Sequence, residues 1–197
     1  TRLRTVTGVQ TCALPIWEVR EGLAKHQTGF DRPPGGAEFV ARSPSLEAQV
    51  ANLADEITYY SHDLDDGLAA GLLSEKALGA NVAIWRQAAS LVKRQFGSLP
   101  DESRRYYIIR CIIDVEVKNV VETSETLIRE AGVRSADDVR RQPRPLVRYS
   151  PALKRDNVEL RAYLYRNLYY NPEVHEPNRR AVRMLEELFQ HFTRSEE

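Results

Sequence analysis

Residues 44–68 read PSLEAQVANLADEITYYSHDLDDGL; the part from 51 onward holds five carboxylates, two adjacent tyrosines and a His-Asp dipeptide. Leu46, Val50, Leu53, Ile57, Tyr60 and Leu64 recur at steps of four and three, the stripe of an amphipathic α-helix. Ser43 followed by Pro44 predicts an N-cap with Pro at the first helical position, and Gly67 and Gly71 predict the exit. At about 100° per residue, Asp55, Tyr59 and His62 point away from the stripe and Asp63 lies at the edge of their face. A merely solvated face would be filled with Lys, Glu, Arg and Gln. Here Ala48 and Ala51 stand beside Asp55 and leave room for a second element, so the helix is expected to pack on both sides and to bury Asp55 in part. A buried carboxylate needs a cation or hydrogen-bond donors; a divalent metal and an Arg or Lys partner both answer. Asp55, Tyr59 and Asp63 line about 12 Å of helix. That length suits an extended polar substrate, and it equally suits a surface row of charges.

The rest of the chain is also helical in pattern. A short helix end is expected at 17–27, a Gly- and Pro-rich loop at 28–43, and helices at 74–79 and 81–96, the latter carrying Val82, Trp85, Ala89 and Val92. A long helix over 101–130, with Ile108, Ile112, Val115, Leu127 and Ile128, opens at Pro100-Asp101 and closes at Gly132. A Pro- and Arg-rich connection at 131–149 leads to a helix over 151–169, broken at Asn171-Pro172. The last helix, roughly 177–194, carries Val182, Leu185, Leu188 and Phe192 on one face. The Ile/Val-rich stretch 108–121 has strand propensity, but its charges fall at helical spacing. The fold class is all-α, with no internal repeat.

The 197 residues are 42% hydrophobic and 28% charged, suited to one domain or a piece of a larger one. Lys+Arg and Asp+Glu are both 28, so bulk charge gives no argument for a nucleic-acid or membrane partner. No apolar run approaches the ~20 residues of a membrane span. Cys12 and Cys111 alone make neither a metal motif nor a disulfide framework, and a reducing cytoplasm is the default. Residues 6–16, VTGVQTCALPI, read as the translation of a sequencing-library adapter. On that reading 1–16 are a cloning scar and the native chain starts near Trp17.

The 44–68 block closely resembles the signature of the HD-domain deoxynucleoside triphosphate triphosphohydrolases, the dGTPase-like family. The resemblance continues through WEVREGLAKH, RRYYIIRCIIDVEVKNVVETSETL and LRAYLYRNLYYNPEV. It implies a multi-helical HD-domain-like bundle truncated at its N-terminal side, with 17–70 the end of the catalytic core and 71–197 a helical region packed on it. Family members use a divalent metal and cleave dNTPs to deoxynucleoside and triphosphate. By position Asp55 matches the last metal-ligating Asp, Tyr59 the tyrosine along sugar and phosphates, and Asp63 the carboxylate that reads the sugar 3′ hydroxyl. Mg or Mn is the expected metal, another transition metal the alternative. His62-Asp63 spells "HD", but in the context of the final-Asp block, and His62 is assigned no metal. The family's first His and true His-Asp pair are not found, so this chain by itself is expected to bind metal poorly and to be inactive. Its uncovered apolar surface favours partnering, with a homo-oligomer expected.

The competing class is a helical oligomerisation or single-stranded nucleic-acid-binding module. Its candidate surface is Arg140–Arg155, where Arg140, Arg141, Arg144, Arg148, Lys154 and Arg155 occur without an acid; a solvated loop is the plainer account. Tyr163, Tyr165, Tyr169 and Tyr170 beside Arg161 and Arg166 could stack bases, though the edge of a helix core explains them more simply. His26 reads as a helix C-terminal residue and Cys111 as inert. An HD-type phosphodiesterase fits less well, because Tyr59 and Asp63 match the dNTP pattern.

Overall fold

The computed structural model describes residues 16–26, 39 and 43–194. The adapter-like segment save Ile16, Cys12 and most of the 28–43 loop lie outside them. The helices are α1 (Trp17–Ala24), α2 (Leu46–Ala69), α3 (Glu75–Asn81), α4 (Ala83–Phe96), α5 (Asp101–Ala131), α6 (Ala136–Arg140), α7 (Pro151–Leu164) and α8 (Pro172–Arg194), with a π-helical turn at Tyr165–Tyr169. Among the described residues there is no strand, so the all-α class holds. No helix among them is long and apolar enough to cross a membrane. Two units are formed, one from residues 1–54 and 124–148, the other from 55–123 and 149–197.

In the first unit the helix start differs from the expectation. Ser45, not Ser43, caps α2: its Oγ accepts from the Ala48 amide at 3.3 Å. Ser43 is buried and its hydroxyl donates to the Gln142 carbonyl at 3.0 Å. Ala48 provides the close approach that its size predicts, since a Cβ on Gly22 of α1 would sit 3.1 Å from the Ala48 Cβ. Gln49, also buried, accepts from the Leu146 and Val147 amides at 2.8 and 3.0 Å and so satisfies a loop that has no ladder of its own. The supposed plain connection at 131–149 contains α6, capped by Ser135, whose Oγ accepts from the Asp138 amide. Arg140 of α6 bonds the fully buried Glu21 at 3.0 Å and lies 4.8 Å over the Trp17 ring; Lys25 bonds the other Glu21 oxygen at 2.8 Å.

The second unit holds most of the apolar core: Ile57, Tyr60 and Leu64 of α2, Trp85 and Val92 of α4, Ile108 and Ile112 of α5, and Leu160 and Leu164 of α7 are buried. α4 packs on α7. Glu159 of α7 accepts from the Ala83 amide at 3.1 Å, placing a carboxylate at the positive end of α4. Ser150 caps α7 and exchanges two hydrogen bonds with Asn119, at 2.9 and 3.1 Å. Gly67, expected at the exit of α2, is instead inside the helix and buried. Gly71, at φ 73°, turns the chain. A Cβ on Gly67 would meet Leu73 Cδ1 at 2.7 Å and Leu168 Cδ1 at 3.3 Å, so its lack of a side chain admits the π-helical turn. Gly67→Ala should cost about 1–3 kcal/mol, read as a lowered midpoint in urea unfolding; an unchanged midpoint would show that the two leucines shift freely.

One carboxylate is buried in this core among the described residues. Glu116 of α5 is 3% exposed and sits with Tyr149, Asn157 and Glu56. Burial raises its carboxyl to about 7; the neighbouring Asn157 amide and Tyr149 phenol oppose the rise, and the Glu56 charge adds to it. Glu56 is itself raised by burial, against the pull of Arg161 and Lys154. Folding therefore favours neutral Glu116. The stability from that preference is complete below the ordinary value of 4.5 and is lost as pH rises through about 7. Glu116→Gln should flatten this slope and stabilise the protein at pH 8 by on the order of 1–3 kcal/mol, with little gain at pH 4; equal gains at both pH values in thermal unfolding would refute the assignment.

Candidate functional site

The five carboxylates of the quoted stretch are sorted by environment. Asp65 pairs with Arg105 of α5 at 3.1 Å and Glu56 faces inward toward Arg161, whereas Asp66 is exposed. Asp55 is exposed too, as are Ala51, Ala54, Thr58 and His62, so the expected burial of Asp55 is not observed. α1 approaches α2 at Ala48, two turns before Asp55.

Asp63 is the acid that the fold engages. It is half-buried, and the Tyr169 hydroxyl donates to its Oδ2. Desolvation raises its carboxyl; the Tyr169 bond opposes this, while the Asp66 charge adds to it and His62 draws it back. Tyr169 is pushed far up, by burial first and then by Asp63, and stays a donor. Tyr59 stands beside the pair, 46% exposed, its ring 6.3 Å from that of Tyr169. Burial and the Asp63 charge push the Tyr59 phenol up, and a hydrogen bond with Tyr169 pulls it down. Tyr59, Asp63 and Tyr169 thus form one network on an accessible surface. The aromatic series continues through Tyr165, 5.1 Å from Tyr169, to Tyr170 at 6.0 Å from Tyr165. An open groove of about 620 Å³ lies against Val158, Arg161, Tyr165, Arg166 and Tyr170.

Sequence spacing does not single out Tyr169, because it lies 106 positions from Asp63. The signal present is the cluster AYLYRNLYY at 162–170, whose plain reading is the edge of a helix core. The i to i+5 bond from the Tyr170 amide to the Tyr165 carbonyl, 3.0 Å, marks the π-helical turn that carries Tyr169. Such turns recur at functional sites.

Among the described residues no group of three or more His, Cys, Asp and Glu side chains could hold an ion. Asp55 by itself does not fit a resident divalent cation. The basic segment is also altered by the fold, since Arg140 is held by Glu21 and Asp137, and Arg141 by Asp138. Cys111 is half-buried and burial raises its thiol, consistent with an unreactive side chain.

The profile of the phosphohydrolase-associated domain matches residues 147–197, a span that includes Tyr169. Proteins called deoxyguanosinetriphosphate triphosphohydrolase-like match nearly the whole chain. The one from Geobacter sulfurreducens is 36% identical over 180 residues, covering 90% of this chain and 46% of the relative. That from Bordetella pertussis is 38% identical over 195 residues, 97% of this chain and 49% of the relative. A third, from Thiobacillus denitrificans, is 36% identical over 181 residues, with 90% and 48% covered. This chain is therefore related to the dGTPase-like phosphohydrolases, as the resemblance of its motifs implied, and matches them as a C-terminal part does. It spans about half the length of the curated relatives it matches.

Replacing Tyr169 by Phe removes the donor from Asp63. The Asp63 carboxyl should then titrate higher still, because its charged form loses a stabilising bond. Carboxyl carbon NMR through a pH series reads this directly, and a lower or unmoved Asp63 titration would contradict the network.

Proposed function

We propose that this chain is part of a dNTP triphosphohydrolase in which Tyr59 and Asp63 contact the substrate and Asp55 supplies one ligand to a divalent metal. The observation that carries the reading is the Tyr59–Tyr169–Asp63 network. It holds a carboxylate and an aromatic ring side by side at an accessible surface, with Asp55 a further turn beyond Tyr59 on the same helix. A carboxylate fixed by one phenol keeps acceptor capacity for a sugar hydroxyl. A partly exposed tyrosine offers a flat apolar face to the sugar and a hydroxyl to the phosphates.

The metal part requires more than the described residues provide, and no chemical step is assigned to it. The remaining ligands would have to come from other parts of a longer polypeptide, and the chain as given is expected to show no hydrolysis by itself. Cleavage at the α-phosphate, the choice of Mg or Mn and a cytoplasmic setting belong to the same proposal. The competing nucleic-acid reading is weakened by the ion pairs of Arg140 and Arg141; Arg144, Lys154 and Arg155 remain exposed.

The test uses a full-length protein that contains this segment. Asp55→Ala should lower dNTP hydrolysis at least 100-fold, because loss of a ligand costs metal occupancy. Asp63→Asn should raise KM for deoxynucleotides about 10- to 100-fold and spare metal content. Retention of hydrolysis in the Asp55 variant would sink the metal assignment. An unchanged KM in the Asp63 variant would sink the sugar contact.

A further inference from the structure

A cleft of the second unit lies between α3, α4 and the start of α5 and shares no residue with the Tyr59–Tyr169–Asp63 network. Its volume is about 570 Å³, within the range of small-molecule sites. The floor is apolar: Trp85 and Val92 of α4 and Ile108 of α5 are buried there. Gly79 of α3 also lines it, and a Cβ added to that glycine would meet nothing within 4 Å. An apolar floor with a few charged groups on the walls is the usual make-up of a site for a small organic ligand.

The charges on the walls define the kind of ligand. Arg86 and Lys93 both line the cleft and lie about two turns apart on one side of α4, roughly 10 Å along its axis. Between them the same wall carries Ala89 and Ser90, neither of them charged. Nη1 of Arg86 donates to the Gly79 and Ala80 carbonyls at 3.4 and 3.2 Å. That tie anchors the guanidinium at the end of α3 and leaves its other N–H groups for a ligand. Among the described residues neither Arg86 nor Lys93 has a carboxylate partner. The acid of the cleft, Glu75, is committed to Arg104, from which it accepts two hydrogen bonds at 3.0 and 2.9 Å. A cation near a helix C-terminus is the plainer role of each, and it accounts for the Arg86 Nη1 bonds and for Lys93 in the last turn of α4. It does not account for two uncompensated cations at the two ends of one apolar trough.

We propose that this cleft binds a medium-chain aliphatic dicarboxylate, with one carboxylate on Arg86 and the other on Lys93. The apolar chain between them covers the floor at Trp85 and Val92, and removal of that surface from water supplies the attraction. The two cations select charge at both ends and so discriminate by length. Such binding does not depend on the dNTP reading.

Trp85 is the reporter. In a chain carrying Trp17→Phe it is the sole tryptophan. Its fluorescence is followed while azelate, succinate or nonanoate is added at constant ionic strength, with far-UV circular dichroism to check that each variant keeps its helix. Azelate should bind with a Kd of about 1 mM or tighter. It should bind at least about threefold more tightly than succinate, which is too short to reach both cations, and than nonanoate, which has one charge. Arg86→Gln and Lys93→Gln should each weaken azelate about threefold and the double variant about tenfold. Arg94→Gln, outside the cleft, should leave it unchanged, and Gly79→Leu should fill the trough and abolish the response. Calorimetry on the chain that retains Trp17 should give the same order of affinities. The proposal is overturned by a silent Trp85, by succinate or nonanoate binding as tightly as azelate, or by a double variant or a Gly79→Leu chain that binds as the parent does. Equal losses in Arg94→Gln and Lys93→Gln would also overturn it, since they mark unspecific attraction to α4.

Discussion

The close approach at Gly67 is the contact on which the site depends. A hydrogen in place of a side chain lets Leu73 and Leu168 seat against the last turn of α2. Leu168 and Tyr169 are consecutive, and Asp63 is one turn before Gly67, so a single steric allowance places the Tyr169 hydroxyl on the Asp63 carboxylate. The π-helical turn contributes the other half. One extra residue in a helix rotates the residues after it by roughly a quarter turn, and here it delivers a buried leucine and a hydrogen-bonding tyrosine side by side. Stability and site geometry are therefore coupled at one point.

The acids of α2 show how environment divides identical chemistry. Glu56 and Asp63 are raised by desolvation, Asp65 is paired with arginine, and Asp55 and Asp66 lie at the surface. Burial, not the count of carboxylates, sets which of them has an altered affinity for protons. The same rule explains Glu116 and Glu21. Glu116 is buried against amide and phenol groups with a like charge nearby, and its carboxyl rises. Glu21 is fully buried but has Arg140 and Lys25 on its two oxygens, the arrangement a buried charge requires.

Much of the fold was legible from local signals. Apolar spacing and end signals located seven of the helices, six of them to within a few residues. Ser150-Pro151, Asp101 and Gly132 marked ends that the structure reproduces. The misses are equally local in origin. Ser43 and Ser45 both precede the same helix, and only the hydrogen bond to Ala48 distinguishes the cap. Asn171 both ends one helical segment and caps the next, its side chain accepting from the Glu173 amide at 3.0 Å, so α8 begins five residues earlier than the proline at 177 suggests. The capped Ser135-to-Asp138 turn is masked in the sequence by the prolines and arginines that dominate the segment around it.

Of the site, the sequence by itself determined the residue types and their order along one helix: Asp55, Tyr59 and Asp63 at one-turn intervals, within a chain recognisably dGTPase-like. It determined the helices because their signals, periodicity and caps, act over distances of a few residues. Only the tertiary structure decided that Asp63 has a phenolic donor, that Asp55 lies at the surface, and that Arg140 is consumed by a buried glutamate. Each of those outcomes depends on a neighbour, or the lack of cover, set by residues remote in the chain. Desolvation and hydrogen bonding act through space, and no spacing rule along a single helix contains them.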